Sequence, residues 1–281
     1  MIGSALPYPF ELAFMQRALL ASVIVGVFAP LIGTYLVQKR LSLIGDGIGH
    51  VAFAGVGAGI LLSVWPVWTA LALAVAGALA IEWLRARRRA SGDLALALLF
   101  YSGIALGVVF ASRGGGLNSN LLIYLFGQPL TVNRDEIKVI ATLGVVVGIT
   151  MWALRRPLFA VVTDEEWSKV AGLPVGLLNV LMAVVTAFAV VAAMRIVGIL
   201  LIAALMVLPV ASAQLLAHSF RGTLAWAVGV GVLSVVVGLA AARIWDLAPS
   251  GSIVLVAAAV FGIVSVLKRA VPHPLRLEAH E

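Results

Sequence analysis

Long apolar stretches, separated by short turns rich in charge, proline or glycine, recur from residue 14 to residue 267. Each is long enough to cross a hydrocarbon core of about 30 Å as a helix. The pattern predicts nine spans: 14–37, 43–63, 66–84, 93–111, 136–154, 177–193, 197–217, 223–242 and 250–267. An all-α fold follows, a polytopic transmembrane helix bundle forming one domain over 1–281. Pro30 and Pro209 fall inside spans, where each should bend its helix or free a carbonyl.

Two stretches break the rhythm. "LNSNLLIYLFGQPL", 117–130, is too short to span and ends in a helix-stopping Gly-Gln-Pro, so it reads as a re-entrant or interfacial half-helix. In "SLIGDGIGHVAFAGVGAGILL", 42–62, Gly45, Gly47 and Gly49 alternate around Asp46 and weaken the start of a helix. A broken or dipping segment is expected there, as irregular backbone is tolerated at membrane depth where it lines a cavity. Gly55, Gly57, Gly59, Ala203, Ala204, Ala211 and Ala213 read as close-packing faces.

Composition agrees: 63% of the 281 residues are hydrophobic and 11% charged, far from the balance of a soluble domain. The first apolar run, of about 24 residues and without a basic leader, is too long for a cleaved signal. The net charge of +7 is spread over short loops, which points to topology and not to nucleic acid. Placing the C-terminus inside leaves six of the 19 basic residues outside: Arg17, Arg113, Arg134, Lys138, Arg195 and Arg243. The remainder, densest in "RARRR" at 85–89, lie inside, so the N-terminus is expected outside and the tail, 268–281, in the cytoplasm. The absence of cysteine excludes disulfides and thiolate metal sites.

The charge census narrows the chemistry. Eleven of the twelve acids fall in loops, tails or near span ends, Glu82 among the last; Asp46 alone is flanked by apolar runs. His218, His273 and His280 lie outside the spans, and only His50 is embedded. Four residues apart on a helix, Asp46 and His50 share one face. Intramembrane ionisable groups usually mark a pathway, although a self-satisfying pair or a helix cap at Asp46 would also explain them. A carboxylate with an imidazole suits zinc, manganese or iron(II), but two ligands do not complete a site. The longest hydrophilic inner connection, 155–176, contains "DEEWSKVAGLP", whose acidic start and Gly-Leu-Pro stop predict a short cytoplasmic helix over 164–173. No phosphate-binding loop and no HExxH motif occurs, so transport needs a partner's ATPase or an ion gradient.

The ordered set "LIGDGIGHVAFAGVGAG" (43–59), "LIYLFGQPLTV" (122–132), "MRIVGILLIAALMVLPVASA" (194–213) and "DLAPSGSIVL" (246–255) resembles the membrane permeases of ATP-binding-cassette importers for zinc, manganese and iron(II). The resemblance implies a multi-pass permease of the cytoplasmic membrane that is not itself an enzyme. It implies a homodimer, two cytoplasmic ATPase subunits and an extracytoplasmic metal-binding protein as partners. It further implies a transported metal on Asp46 and His50, with no permanently bound cofactor. Asp164, Glu165, Glu166 and Gly172 are similar to the ATPase-coupling loop of such permeases, with Ser168 standing where alanine would be usual. An ion- or proton-coupled metal transporter using the same pair as a proton relay is the alternative; an intramembrane metalloenzyme would need ligands or a base that the census lacks.

Overall fold

A computed structural model describes residues 8–86, 92–115 and 119–270. The basic residues at 87–89, the start of the 117–130 stretch and the tail beyond 270 lie outside the described residues. The described chain forms twelve helices: α1 (Ala13–Gln38), α2 (Ile44–Leu61), α3 (Pro66–Ala86), α4 (Gly92–Arg113), α5 (Ser119–Phe126), α6 (Arg134–Ala153), α7 (Arg155–Thr163), α8 (Glu165–Val170), α9 (Val175–Ala193), α10 (Ile202–Leu216), α11 (Phe220–Trp245) and α12 (Pro249–Ala270). Eight of them are long and apolar enough to span a membrane. The remaining expected span, 197–217, is represented by the 15-residue α10.

Polar groups at the helix ends are largely met locally. Asn133 and Glu136 form a reciprocal capping box at the start of α6, with N–H···O distances of 2.8 and 3.0 Å. Asp164 caps α8 and Ser219 caps α11. Within the spans, Thr34, Thr186, Ser212 and Ser234 each donate to the carbonyl four residues back, so a hydroxyl can sit in apolar surroundings without a bare donor. Trp65, Trp68 and Trp245 lie at one end of the spans, and Trp83, Trp152 and Trp226 at the other. Such belts mark the two membrane interfaces.

Two groups of helices share a centre. α1, α10, α11 and α12 pack together, as do α2, α3 and α4, and α9 touches members of both. α2 runs unbroken from Ile44 to Leu61, contrary to the broken segment expected there. Its alternating glycines instead admit three different neighbours. A Cβ at Gly45 would lie 3.0 Å from Met206 Sδ, one at Gly47 3.4 Å from Leu96 Cδ2, and one at Gly49 3.4 Å from Ile199 Cγ2.

The interruption lies elsewhere, at 194–201, which forms successive turns where a helix from residue 197 was expected. This stretch meets the end of α5. Ile199 N donates to Tyr124 O at 3.0 Å, Leu200 N to Leu125 O at 3.2 Å and Gln128 N to Arg195 O at 2.9 Å. Ser250, at the start of α12, donates its hydroxyl to Phe126 O. Gly127 and Gly198 both have positive φ, 71° and 87°, and their backbones press together: a Cβ on either would lie 2.6 Å from the other's nitrogen. Only glycine satisfies both demands. Met194, Ile196, Val197 and Ile199 are fully buried. The freed backbone groups are therefore met inside protein, away from lipid.

Candidate metal site

Asp46 and His50 occupy the first two turns of α2. Leu43 stands at the cap position and makes no side-chain cap bond, so Asp46 is not the helix cap. Its charge still lies within the first turn, where the helix dipole favours an anion. His50 Nε2 and Asp46 Oδ1 are 3.7 Å apart, longer than a hydrogen bond. The imidazole is buried edge-on against Phe100 of α4, with ring centroids 4.2 Å apart. Gly103 brings the α4 backbone against this turn, since a Cβ there would lie 2.8 Å from His50 C. Asp46 is half-buried and faces the more open side. The pair is thus held close without being joined.

Its depth follows from neighbouring helices. Lys39, just after α1, donates its ammonium to Asn179 on α9. Val190, which flanks Gly49, lies eleven residues further along α9, about 16 Å at 1.5 Å per residue. His50 therefore sits well inside the bundle. Among the described residues no cluster of three or more histidines, cysteines or acids could hold a metal, so within one chain Asp46 and His50 have no third ligand of these types.

Asp46 is not the only embedded acid, contrary to the expectation from the census. Glu82 and Glu136 are each 7% exposed. Both lie near helix ends and are paired: Glu82 with Arg85 at 2.5 Å, Glu136 with Arg195 at 2.7 Å. Arg195 also sits 5.3 Å from the Tyr124 ring centroid, so a charged group covers the backbone contact between α5 and 194–201. The pairing of Glu136 with Arg195 joins distant parts of the chain and carries no local signal. Asp46 differs in that, among the described residues, its one ionisable neighbour within 4 Å is a histidine.

The expected short helix in 164–173 is α8, Glu165–Val170, and the preceding α7 is helical where a loop was expected. Asp164 accepts from Trp167 N at 2.9 Å, and Gly172 ends the element with φ of 82°. Glu166 projects into the open, while Trp167 and Val170 are 64% and 87% exposed. Ser168 is buried and donates to Asp164 O at 2.7 Å. Glu165 turns inward to Lys39 at 3.1 Å and outward to Lys169 at 3.3 Å. Burial pushes the Glu165 carboxyl up, but the two ammonium groups outweigh it and hold it below the usual range. Burial depresses Lys39 in spite of Glu165, because its side chain is only 6% exposed. Lys39 carries no sequence signal as a partner, since a basic residue at a helix end is indistinguishable from a topology signal.

A bundle of spanning helices with a polar pair in its interior and a short helix that exposes Trp167 and Val170 at one end has the form of a membrane permease. The profile of the ABC 3 transport family matches residues 11–268, and the chain belongs to that family. The chain is 31% identical over 251 residues to the manganese transport system membrane protein MntC of Halalkalibacterium halodurans, covering 89% of this chain and 86% of the relative. It is 28% identical over 260 residues to the high-affinity zinc uptake system membrane protein ZnuB of Haemophilus influenzae, covering 92% and 98%. The fold superimposes on a chain of PsaBC from Streptococcus pneumoniae with a TM-score of 0.82 and 28% identity, covering 90% of this chain and 91% of that one.

Proposed function

We propose that this chain is the permease subunit of an importer that carries a divalent transition metal, zinc, manganese or iron(II), across the cytoplasmic membrane. The reading rests on one observation above others: a half-buried carboxylate and a buried imidazole 3.7 Å apart, with no third ligand of their kind among the described residues. The transport systems named for the manganese and zinc relatives support the metal class.

The permease works as a homodimer. In a two-fold assembly a residue near the axis meets its own copy, so one Asp46 and one His50 become four ligands. Oxygen and nitrogen donors of this kind suit all three metals. The ion's charge would relieve the repulsion between the two carboxylates. The gap within each pair leaves room for an ion to bind and leave.

Energy comes from two cytoplasmic ATPase subunits, and an extracytoplasmic protein delivers the metal. The N-terminus lies outside and the C-terminus in the cytoplasm, as the loop arginines favour. α8 is the docking helix, with Asp164 and Gly172 shaping it and Glu166 facing the partner. Glu165 passes motion to Lys39, from which a short linker leads to Ile44 and the start of α2.

Metal uptake and metal binding by the assembled complex test this reading. Asp46→Asn keeps the size and removes the charge; with His50→Ala it should abolish uptake and leave the dimer intact. Normal uptake by both variants would make the pair structural. Uptake by the permease alone under an ion gradient would overturn the ATPase coupling.

A further inference from the structure

A groove of about 880 Å³ opens between α1, α6, α7 and α11 at the α7–α8 end of the bundle. Three arginines line its mouth: Arg155 and Arg156 at the start of α7, and Arg221 at the start of α11. All three are exposed, no carboxylate lines the groove, and none of the three is in an ion pair among the described residues. Arg155 is set in place over the Trp152 ring, 5.2 Å from its centroid.

The groove continues inward. Gly148 lies seven residues before Arg155, about 10 Å deeper along the helix axis. Nothing lies within 4 Å of a Cβ built there, so Gly148 faces open space. Leu31, Met151 and Leu224 add apolar lining, and Phe159 and Phe220, 4.9 Å apart, close one wall. Arginines that only orient the chain need be exposed and nothing more. These converge on a slot whose floor is apolar and whose rim is cationic, at the level of the interfacial Trp152.

We propose that this groove binds an acidic phospholipid from the leaflet on the α7–α8 side, with its phosphate between the three arginines and an acyl chain in the slot toward Gly148. Guanidinium groups match phosphate oxygens in bidentate fashion, and basic pockets between spanning helices take acidic headgroups. The site lies apart from Asp46 and His50 and does not depend on what the permease carries. Because α7 leads directly into α8, a lipid held there ties that helix to the membrane plane.

The test uses the full chain in phosphatidylcholine vesicles with spin-labelled phosphatidylglycerol or phosphatidylcholine carrying the same label on the same chain. Electron paramagnetic resonance reads the motionally restricted fraction. The wild type should restrict phosphatidylglycerol preferentially, and inorganic phosphate in excess should not displace it. Arg155→Gln/Arg156→Gln/Arg221→Gln should lower that preference by at least about fivefold, the effect of a single basic residue near an anionic surface. Gly148→Phe keeps every arginine and should expel the restricted lipid by filling the slot, which separates lost binding from lost folding. Displacement by inorganic phosphate would make this an ion site and overturn the proposal. Equal restriction of both lipids by the wild type would also overturn it and leave the groove as a contact surface for a protein partner.

Discussion

Severing Lys39 from Glu165 should loosen α8 without unfolding the bundle. At 3.1 Å and an effective dielectric constant of about 20, the gross attraction between the two charges is about 5 kcal/mol. Most of this is offset, because the Lys39 side chain has lost nearly all of its water and Glu165 remains partly exposed. Asn179 also keeps one bond to the ammonium when the carboxylate is removed. A net coupling of about 1–2 kcal/mol is expected, between the values for surface and buried pairs. The measurement is a double-mutant cycle of Lys39→Met, Glu165→Gln and the double variant, read by equilibrium unfolding in detergent micelles. Metal-stimulated ATPase activity of each assembled complex is read alongside. Glu165 has a lowered folded pKa, so its contribution is complete above the ordinary carboxylate value of about 4.3 and is lost as pH falls through the lowered one. The coupling should therefore be flat near neutral pH and vanish in acid. A coupling below about 0.3 kcal/mol at neutral pH, with coupled ATPase activity unchanged, would refute the idea that this pair holds the docking helix.

Gly198→Ala should destabilise the fold by more than the roughly 1–2 kcal/mol of a left-handed backbone alone, since its Cβ would overlap the 126–127 backbone; a thermal midpoint equal to wild type would count against the contact between Gly127 and Gly198. Glu166→Ala and Gly172→Pro should impair ATPase association or coupled turnover while the dimer persists, proline being unable to reach the φ of 82° at 172; full coupling in both would move the docking site elsewhere. In this cysteine-free chain, Val170→Cys should react with an impermeant thiol reagent only from the cytoplasmic side and Ser112→Cys only from outside. The opposite pattern would invert the proposed orientation.

Much of the bundle was legible because lipid imposes one rule on every span: about twenty apolar residues in a hydrogen-bonded helix. Boundaries such as 66–84 and 177–193 fall within a few residues of α3 and α9. The break at 194–196 was legible from Arg195, but its extension to 201 was not, because Val197 and Ile199 are as apolar as any helix and the longer break is supported by backbone groups of α5, far earlier in the chain. The glycines of α2 misled for the converse reason: they weaken an isolated helix, but packing offsets the loss. Asp46 and His50 were visible as rare ionisable residues at helical spacing. Their depth, the gap between them and the inward turn of Glu165 to Lys39 depend on other helices and leave no trace in local sequence.

The close fit of α2 limits how the permease can move. A Cβ at Gly55 would lie 2.6 Å from Thr69 O, one at Gly57 3.1 Å from Gly107 O, and one at Gly59 2.7 Å from Pro66 Cα, so α3 and α4 grip the C-terminal half of α2 backbone to backbone. A helix seated in this way can neither swivel nor slide by a turn without breaking both contacts, since packed interiors switch between discrete arrangements and do not deform smoothly. Asp46 and His50 must then travel with α2, α3 and α4 as a single rigid unit. On this packing, a cross-link stapling α2 to α4 is expected to leave metal uptake unchanged.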